Sequence, residues 1–363
     1  IQMFIFQNDR GKKPTNLEVI KAQFMLALQL SALSPEEKSA RLGEIRKRFE
    51  KIYSNLSLVE GYVDEDSILN YALRIYYKSL DATDARGKIN RELIEKNSAD
   101  FVMKFSLLLE QCFQAMRAIV DEARTHTDLH ILLLVGINAI TMPIIIETFI
   151  DNIDEQARRK VVKGLTSVSL RHSVIGTRAD LTSRLNYAFK ELIEKRDASE
   201  LIRLLEELKT TENWWWAYWN NEEFRNALDR NMSPRVAKIL LYAYETILGR
   251  KDGGDYPLFR LDSGVDWNVE HIAPQTENPE GGYSEYTEKF LEECMHSIGN
   301  FLLISKSHNC SIGNSAFAKK RQSYSHLAQQ REVQNMTVDD IKWTEEKIRE
   351  RKKKIIEEIL SEY

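Results

Sequence analysis

The sequence predicts a mainly α protein, in which a helical domain is followed by a small unit of two strands and a helix and by a long C-terminal helix. Apolar residues recur at three- and four-residue steps through most of residues 15–249, which is the spacing of one helix face. At residues 250–259, glycine, proline and aromatic residues replace the Leu, Glu and Lys pattern. Helical spacing returns at residues 339–360.

Two helix starts carry capping signals. Thr15 and Glu18 have the spacing of a capping box, in which each side chain satisfies a backbone N–H of the first turn. Ser34 precedes Pro35, and proline favours the first position of a helix because its missing N–H is not needed there. We therefore expect helices to begin after Thr15 and after Ser34, with a strand at residues 1–6 before them.

Composition excludes several classes of protein. With 51 basic and 55 acidic residues the formal net charge is -4, so any contact with nucleic acid has to come from a local patch. The cysteines are Cys112, Cys294 and Cys310, an odd number without CxxC spacing, which argues against a disulfide framework or a zinc knuckle. The first residues, IQMFIFQNDRG, have no basic segment ahead of an apolar core, as a signal peptide would. We expect a cytoplasmic protein.

Residues 130–150 are the one candidate for a membrane span. Gly136, Asn138, Pro143 and Glu147 interrupt this apolar run, and a proline inside a helix removes a hydrogen bond. The run therefore predicts a buried pair of helices, broken at Pro143, and no membrane association.

A constellation of polar residues follows residue 265. Glu270 and His271 end the first predicted strand, Asn300 opens the second, and Asn309 lies in the first turn of a helix that begins near Lys306. This is the layout of a ββα-metal nuclease. Imidazole titrates near neutral pH and suits a general base, whereas the oxygen ligands of Glu270 and Asn309 suit a hard cation such as Mg²⁺ or Mn²⁺.

The motifs EHIAPQ, IGNFLLI and NCSIGNSAFAKKRQSY resemble the HNH nuclease domain that forms the C-terminal half of GmrSD-like modification-dependent restriction enzymes. The acid-His-Ile-x-Pro-Gln core and the nine-residue step from Asn300 to Asn309 are also similar to the HNH domain of CRISPR effector nucleases. The resemblance implies that His271 is the general base, that Asn300 orients it, and that Glu270 and Asn309 bind one divalent cation. The acid is Glu rather than Asp, which lengthens this ligand by one methylene.

The same resemblance implies an activity and a partner domain. It implies a metal-dependent DNA endonuclease that acts as the effector of a bacterial restriction or anti-phage system, with modified DNA as the target. Residues 1–25 resemble the closing part of the ParB-like nucleotide-handling domain of that family, with Asn8, Asp9, Arg10 and Gly11 as its last motif. We expect a remnant of this domain at residues 1–30, a helical domain at 31–252 and the HNH domain at 253–363.

The segment from Ser305 to Arg331 contains no Asp or Glu. Its cationic residues predict a face that contacts DNA phosphates, with an ordinary solvated face as the alternative. The predicted DNA-binding residues are Lys306, Lys319, Lys320 and Arg321. The insert between the strands carries six glutamates and is expected to face away from DNA or to shield the site. The basic run RERKKK near residue 351 lies among glutamates and predicts a solvated helix face.

Several alternatives stay open at this stage. His308 rivals Asn309 as the ligand on the helix, and a homo-oligomer is possible. The domain could grip DNA without cutting it, or could act on RNA. The run WWWAYW favours helix packing over a base-stacking surface. The remaining histidines show no metal-ligand spacing and are interpreted as ordinary: His126, His130, His172, His296 and His326.

Overall fold

A computed structural model describes residues 14–94, 98–212, 214–251, 266–276 and 286–363. The strand predicted at residues 1–6 and the motif Asn8–Gly11 lie outside these ranges. The chain divides into two compact units. The first unit comprises Ile1–Glu122, Ile137–Val161 and Asp180–Leu204, and the second comprises Ala123–Gly136, Val162–Ala179 and Leu205–Tyr363. The domain boundaries predicted at residues 30 and 252 stay predictions.

The protein is mainly helical, as predicted. The helices that precede the strands are α1 Asn16–Leu30, α2 Pro35–Val59, α3 Glu65–Tyr76, α4 Ala85–Ile94, α5 Ser98–Ala123, α6 Thr127–Val135, α7 Asn138–Ile150, α8 Glu155–Ile175, α9 Leu181–Lys195, α10 Ser199–Thr210, α11 Asn221–Asp229 and α12 Pro234–Lys251. Thr15 and Ser34 cap α1 and α2, each in a capping box. Both predicted helix starts are therefore confirmed.

The apolar run at residues 130–150 forms two helices, but the predicted position of the break is wrong. The chain leaves helical geometry at Gly136 and Ile137, whereas Pro143 lies inside α7. Proline has no N–H for the carbonyl four residues earlier, which belongs to Ala139. The Arg74 guanidinium donates to that Ala139 carbonyl within the first unit, so the helix continues through the proline. Among the described residues, no helix is both long and apolar enough to cross a membrane.

The second unit contains the two predicted strands. Strand β1, Trp267–His271, pairs with β2, Phe301–Ser305, in antiparallel register, with Glu270 opposite Leu302 and His271 opposite Phe301. Between the strands lie α13 Glu288–Glu293 and a 3₁₀ turn Ile298–Asn300. After β2 follow α14 Lys306–Ile312, α15 Phe317–Gln322, α16 Ala328–Asn335 and α17 Glu345–Glu362. The order strand, strand, helix and the long last helix are as predicted.

Both faces of this strand pair are buried. Trp267, Phe301 and Leu303 belong to a cluster with the apolar residues of α12 and α17. Leu302 and Ile304, which point to the other face, belong to a second cluster around Phe317, Trp343 and Ile348. Alternate residues of a strand face opposite sides, so each cluster fixes one face and sets the register.

Helix α17 anchors the start of β2. Arg351 is fully buried and donates to the carbonyls of Gly299, at 3.0 Å, and Phe301, at 2.6 Å, and its Nε pairs with Glu332 at 2.9 Å. A Cβ on Gly299 would lie 2.1 Å from the Ile348 carbonyl oxygen, so only glycine allows this close approach. The prediction of a solvated face for the run RERKKK is therefore wrong at Arg351, because an acid outside the run pairs with it.

Candidate active site at the end of strand β1

The end of β1 places Glu270 and His271 on opposite faces of the strand pair. His271 lies opposite Phe301 on the face that packs against α12, and Glu270 lies opposite Leu302 on the other face. Both side chains are almost fully buried, at 6% and 5% exposure. A buried charge needs a partner and a buried imidazole needs hydrogen bonds, so the neighbours of each decide what it can do.

The His271 ring is held on three sides. Its Nδ1 lies 2.8 Å from Nε2 of Gln275, and its Nε2 lies 3.4 Å from Nδ1 of His296. The Phe301 ring meets it edge to face, with the ring centroids 4.6 Å apart. Burial lowers the pKa of His271 to about 4, and electrostatic interactions with His296 and Lys320 act in the same direction. The imidazole is therefore neutral at pH 7, which is the state that a general base requires.

Asn300 holds the backbone beyond His271 rather than its ring. The Asn300 side-chain oxygen accepts from the Ala273 N–H at 2.8 Å and from the Trp343 indole N–H at 3.1 Å. Its amide nitrogen donates to the Met295 carbonyl at 3.1 Å, and its own carbonyl accepts from Ile272 N–H at 2.9 Å. The fully buried amide fixes the turn after β1, so any effect on the imidazole passes through the backbone.

On the other face, Glu270 forms a buried ion pair with Lys320. The Lys320 ammonium is 2% exposed and also donates to the His271 carbonyl at 3.0 Å. Burial raises the pKa of the Glu270 carboxyl, whereas Lys320 and Tyr324 oppose this by favouring its ionised form. Lys320 thus ties α15 to the last two residues of β1.

Asn309 and His308 lie on the neighbouring helix α14. Ser305 caps this helix by accepting from the His308 N–H at 3.3 Å, and α14 packs against both strands. Asn309 is half-buried, and in the described part of the chain its side chain makes no hydrogen bond to Glu270 or His271. The His308 ring lies 6.4 Å from the His326 ring. The structure thus brings Glu270, His271 and Asn300 to one end of the strand pair and leaves Asn309 on the adjacent helix.

A family model with the description GmrSD restriction endonucleases, C-terminal domain, matches residues 216–358. This range includes both strands, the 3₁₀ turn and α17 as far as residue 358. Residues 216–358, called the GmrSD-type domain below, are thus similar to the C-terminal domain of GmrSD restriction endonucleases. The resemblance inferred from the sequence motifs is therefore confirmed for this part of the chain. No curated protein matches the chain.

The resemblance implies Glu270 and Asn309 as cation ligands, and their oxygen atoms are of the class that a hard cation takes. The described residues contain no group of three or more His, Cys, Asp or Glu side chains placed to share a metal ion. Glu270 already pairs with an ammonium, and Asn309 offers one amide oxygen. Mg²⁺ keeps several water ligands and often takes others from a phosphate, so these two donors could hold it when DNA supplies the rest. A cation bound there would stabilise charge on the phosphate.

The four basic residues predicted to bind DNA differ in their surroundings. Lys319 is exposed, and Lys306 is exposed with an ion pair to Asp266 at 3.4 Å. Arg321 is half-buried and donates to Thr337 Oγ1 at 2.6 Å and to the Gln334 carbonyl at 2.9 Å. Lys320 is buried against Glu270, so the prediction of a phosphate contact does not fit it. The ion pair could not be predicted from the acid-free segment, because the partner acid lies earlier in the sequence, on β1.

Three residues of the GmrSD-type domain acquire roles that the sequence interpretation missed. His296 was interpreted as ordinary, yet it faces the His271 ring. Gln275 belongs to the EHIAPQ motif and reaches the other ring nitrogen. Lys320 was assigned to DNA. For His296 the available signal was its position four residues before Asn300, in the turn that leads into β2.

The tryptophan run also differs from its prediction. Residues 214–219 form turns rather than a helix, and only Trp219 of the run is fully buried. Trp214 and Trp215 are 55% and 75% exposed, so the predicted packing cluster is wrong for these two. Two exposed indoles keep the base-stacking alternative open.

Proposed function

We propose that this protein is a DNA endonuclease of a bacterial restriction or anti-phage system, and that its GmrSD-type domain hydrolyses phosphodiester bonds with His271 as the general base. One observation carries the proposal. A buried imidazole, held by hydrogen bonds at the end of a strand, lies inside a domain similar to that of restriction endonucleases. Modified DNA as the target rests on the resemblance alone.

In the proposed reaction the protein mainly has to position the base and to stabilise charge on the phosphate. His271 takes a proton from a water molecule, and the water oxygen attacks phosphorus while the bond to the leaving ester oxygen breaks. His271 then releases its proton to solvent, and solvent protonates the leaving oxygen, so one water is consumed for each bond cleaved. Lys320 holds the His271 carbonyl and Asn300 holds the Ala273 N–H, and together they keep the base in register. A divalent cation, Mg²⁺ or Mn²⁺, bound through Glu270 and Asn309, remains a proposal from the resemblance.

The first test compares His271→Ala with the wild-type protein on supercoiled plasmid DNA and on RNA of matched sequence. We expect the wild type to cleave DNA and the variant to lose at least about 100-fold in rate, because a positioned base contributes roughly 10²–10⁴-fold. Thermal unfolding of both proteins controls for loss of fold. DNA prepared with and without base modification forms the second arm.

Each outcome separates the candidates. Wild-type cleavage of RNA but not of DNA would replace the proposal with an RNA nuclease. DNA binding without cleavage on any substrate would favour a domain that grips DNA without cutting it. Unchanged turnover in folded His271→Ala would remove His271 as the base.

A further inference from the structure

We propose that His296 is the positioning residue of His271: it accepts the Nε2 proton of the His271 ring and so leaves the Nδ1 lone pair as the base. This inference rests on the proposed function for its catalytic meaning, but its structural content stands on hydrogen-bond geometry. The resemblance assigned the orienting role to Asn300, whose hydrogen bonds reach the backbone and Trp343 instead of the ring.

The chemistry of Gln275 decides the tautomer. An amide nitrogen carries two N–H groups and accepts nothing, so Gln275 Nε2, at 2.8 Å, has to donate to Nδ1 of His271. A neutral imidazole has one donor and one acceptor nitrogen. Since Nδ1 accepts, the proton of His271 resides on Nε2. The atom that faces this proton is Nδ1 of His296, at 3.4 Å.

The two flanking side chains differ from His271 in their exposure. His271 is buried, whereas Gln275 and His296 are both exposed. The Gln275 amide can therefore move aside, and its N–H marks the place where a water molecule would present its proton to Nδ1. His296 lies beside Nε2, the other ring nitrogen of His271, where it can stabilise the imidazolium that forms after proton transfer. This is the role that an oriented partner has in other base-and-partner pairs.

The rings restrict the imidazole as well. His296 meets His271 edge to face with centroids 5.5 Å apart, and Phe301 meets His271 in the same way on β2. The backbone of His296 is fixed independently, since its carbonyl accepts from the Met232 N–H at 3.0 Å. Replacing the exposed His296 side chain should therefore leave the fold intact while removing the acceptor.

The kinetic test uses His296→Phe, His296→Asn and a matched histidine control. Phenylalanine keeps the ring and removes the acceptor, whereas the asparagine oxygen can take the place of Nδ1. We expect His296→Phe to lower kcat by about 10- to 100-fold with little change in KM, as part of the roughly 10²–10⁴-fold that a positioned base supplies. His296→Asn should recover most of this loss. His126→Phe should change neither value, because the His126 side chain makes no capping hydrogen bond to α6.

A second measurement does not need activity. Nitrogen-15 NMR of histidine-labelled protein reports which ring nitrogen of His271 carries the proton, with His271→Ala to assign the signal. We expect Nε2 to be protonated in the wild-type protein. A proton on Nδ1 would overturn the inference even if the protein is a nuclease, as would wild-type kcat in His296→Phe or equal losses in the Phe and Asn variants. If the wild type cleaves nothing, the proposed function fails, and the NMR result still decides the positioning role.

Discussion

The two faces of strand β1 present neighbouring polar side chains to opposite environments. On the Glu270 face, the carboxylate meets the buried ammonium of Lys320. On the His271 face, the imidazole meets Gln275 and His296, two exposed side chains that can exchange their partners for solvent or substrate. The same depth of burial therefore serves stability on one face and leaves reactivity possible on the other.

This difference explains why Glu270 and His271 are adjacent. Lys320 donates to the Glu270 carboxylate and to the His271 carbonyl, so the contacts on the Glu270 face also fix the backbone of His271. A base has to stay in register within a fraction of an ångström, and a rigid strand with a buried anchor provides this better than a loop. The acid thus has a structural task whether or not it also binds a cation.

The largest effect should come from removing divalent cations, which tests whether the Glu270 face has a second role. We expect excess chelator to stop cleavage, and Mg²⁺ or Mn²⁺ to restore it, because the predicted ligands are hard oxygen donors. Asn309→Ala should raise the metal concentration needed for half-maximal rate, and His308→Ala should not. Cleavage that persists in chelator would confine Glu270 to its ion pair, and a shift with His308→Ala alone would move the ligand by one residue.

Lys320→Met should be the most damaging change to the fold. It leaves the Glu270 carboxylate buried without its partner, and breaking a buried pair costs about 3–5 kcal/mol. Lys319→Met, one residue earlier and exposed, should change the free energy of unfolding by less than about 0.5 kcal/mol. Urea unfolding of both variants measures the contrast. Equal free energies of unfolding would mean that the buried Lys320 ammonium contributes no more to stability than the exposed Lys319.

Glu147 is a buried carboxylate beside a second acid, Asp151. The opposing charges of Arg196 and Lys78 have a smaller effect on its pKa. Burial in α7, followed by the charge of Asp151, raises the pKa of Glu147 to about 8. The folded state therefore binds a proton that the unfolded state has lost, and stability falls as pH rises from the unfolded pKa towards about 8. Glu147→Gln cannot ionise, so we expect its stability relative to wild type to increase by more than about 1 kcal/mol between about pH 5 and pH 8. Thermal unfolding at both pH values checks this, and a pH-independent difference would contradict it.

The smallest expected effect concerns the exposed lysine beside Lys320. If Lys319 contacts a phosphate, Lys319→Ala should reduce the slope of log affinity for DNA against log salt concentration by about one. Lys353→Ala, an exposed lysine on α17, serves as the control. Titrations at several salt concentrations give the slopes. Identical slopes for Lys319→Ala and wild type would exclude α15 from the DNA contact surface.

Local signals were enough for much of the fold. The helix starts at Thr15 and Ser34 depend on side chains within one turn, and the strands follow from short β-favouring runs, so neighbouring residues in the sequence suffice. The continuation of α7 through Pro143 could not be predicted, because the missing hydrogen-bond donor comes from Arg74, far away in the sequence. The burial of Arg351 could not be predicted for the same reason, since its partner Glu332 lies on another helix.

The candidate site also has parts that local sequence motifs predict and parts that depend on contacts between distant residues. The EHIAPQ motif located the end of β1, and the IGNFLLI motif located Asn300, which holds the turn after this strand. The pairing of Glu270 with Lys320 depends on how α15 packs against β1, and the approach of His296 depends on the turn before β2. Both contacts join residues far apart in the sequence. The motifs therefore identified the candidate base but not the side chains that surround it.

The anchoring of β2 by α17 has a consequence for biosynthesis. A two-stranded sheet on its own is marginal in water, and the Arg351 and Trp343 side chains that hold Phe301 and Asn300 are translated only after the strands. At about 5–20 residues per second, the nascent strands wait a few seconds for these anchors. In a ribosome-bound intermediate that stops before α17, the contacts around the His271 ring should therefore not be ordered. Under the proposed function, the order of synthesis would keep an unfinished chain from cleaving DNA.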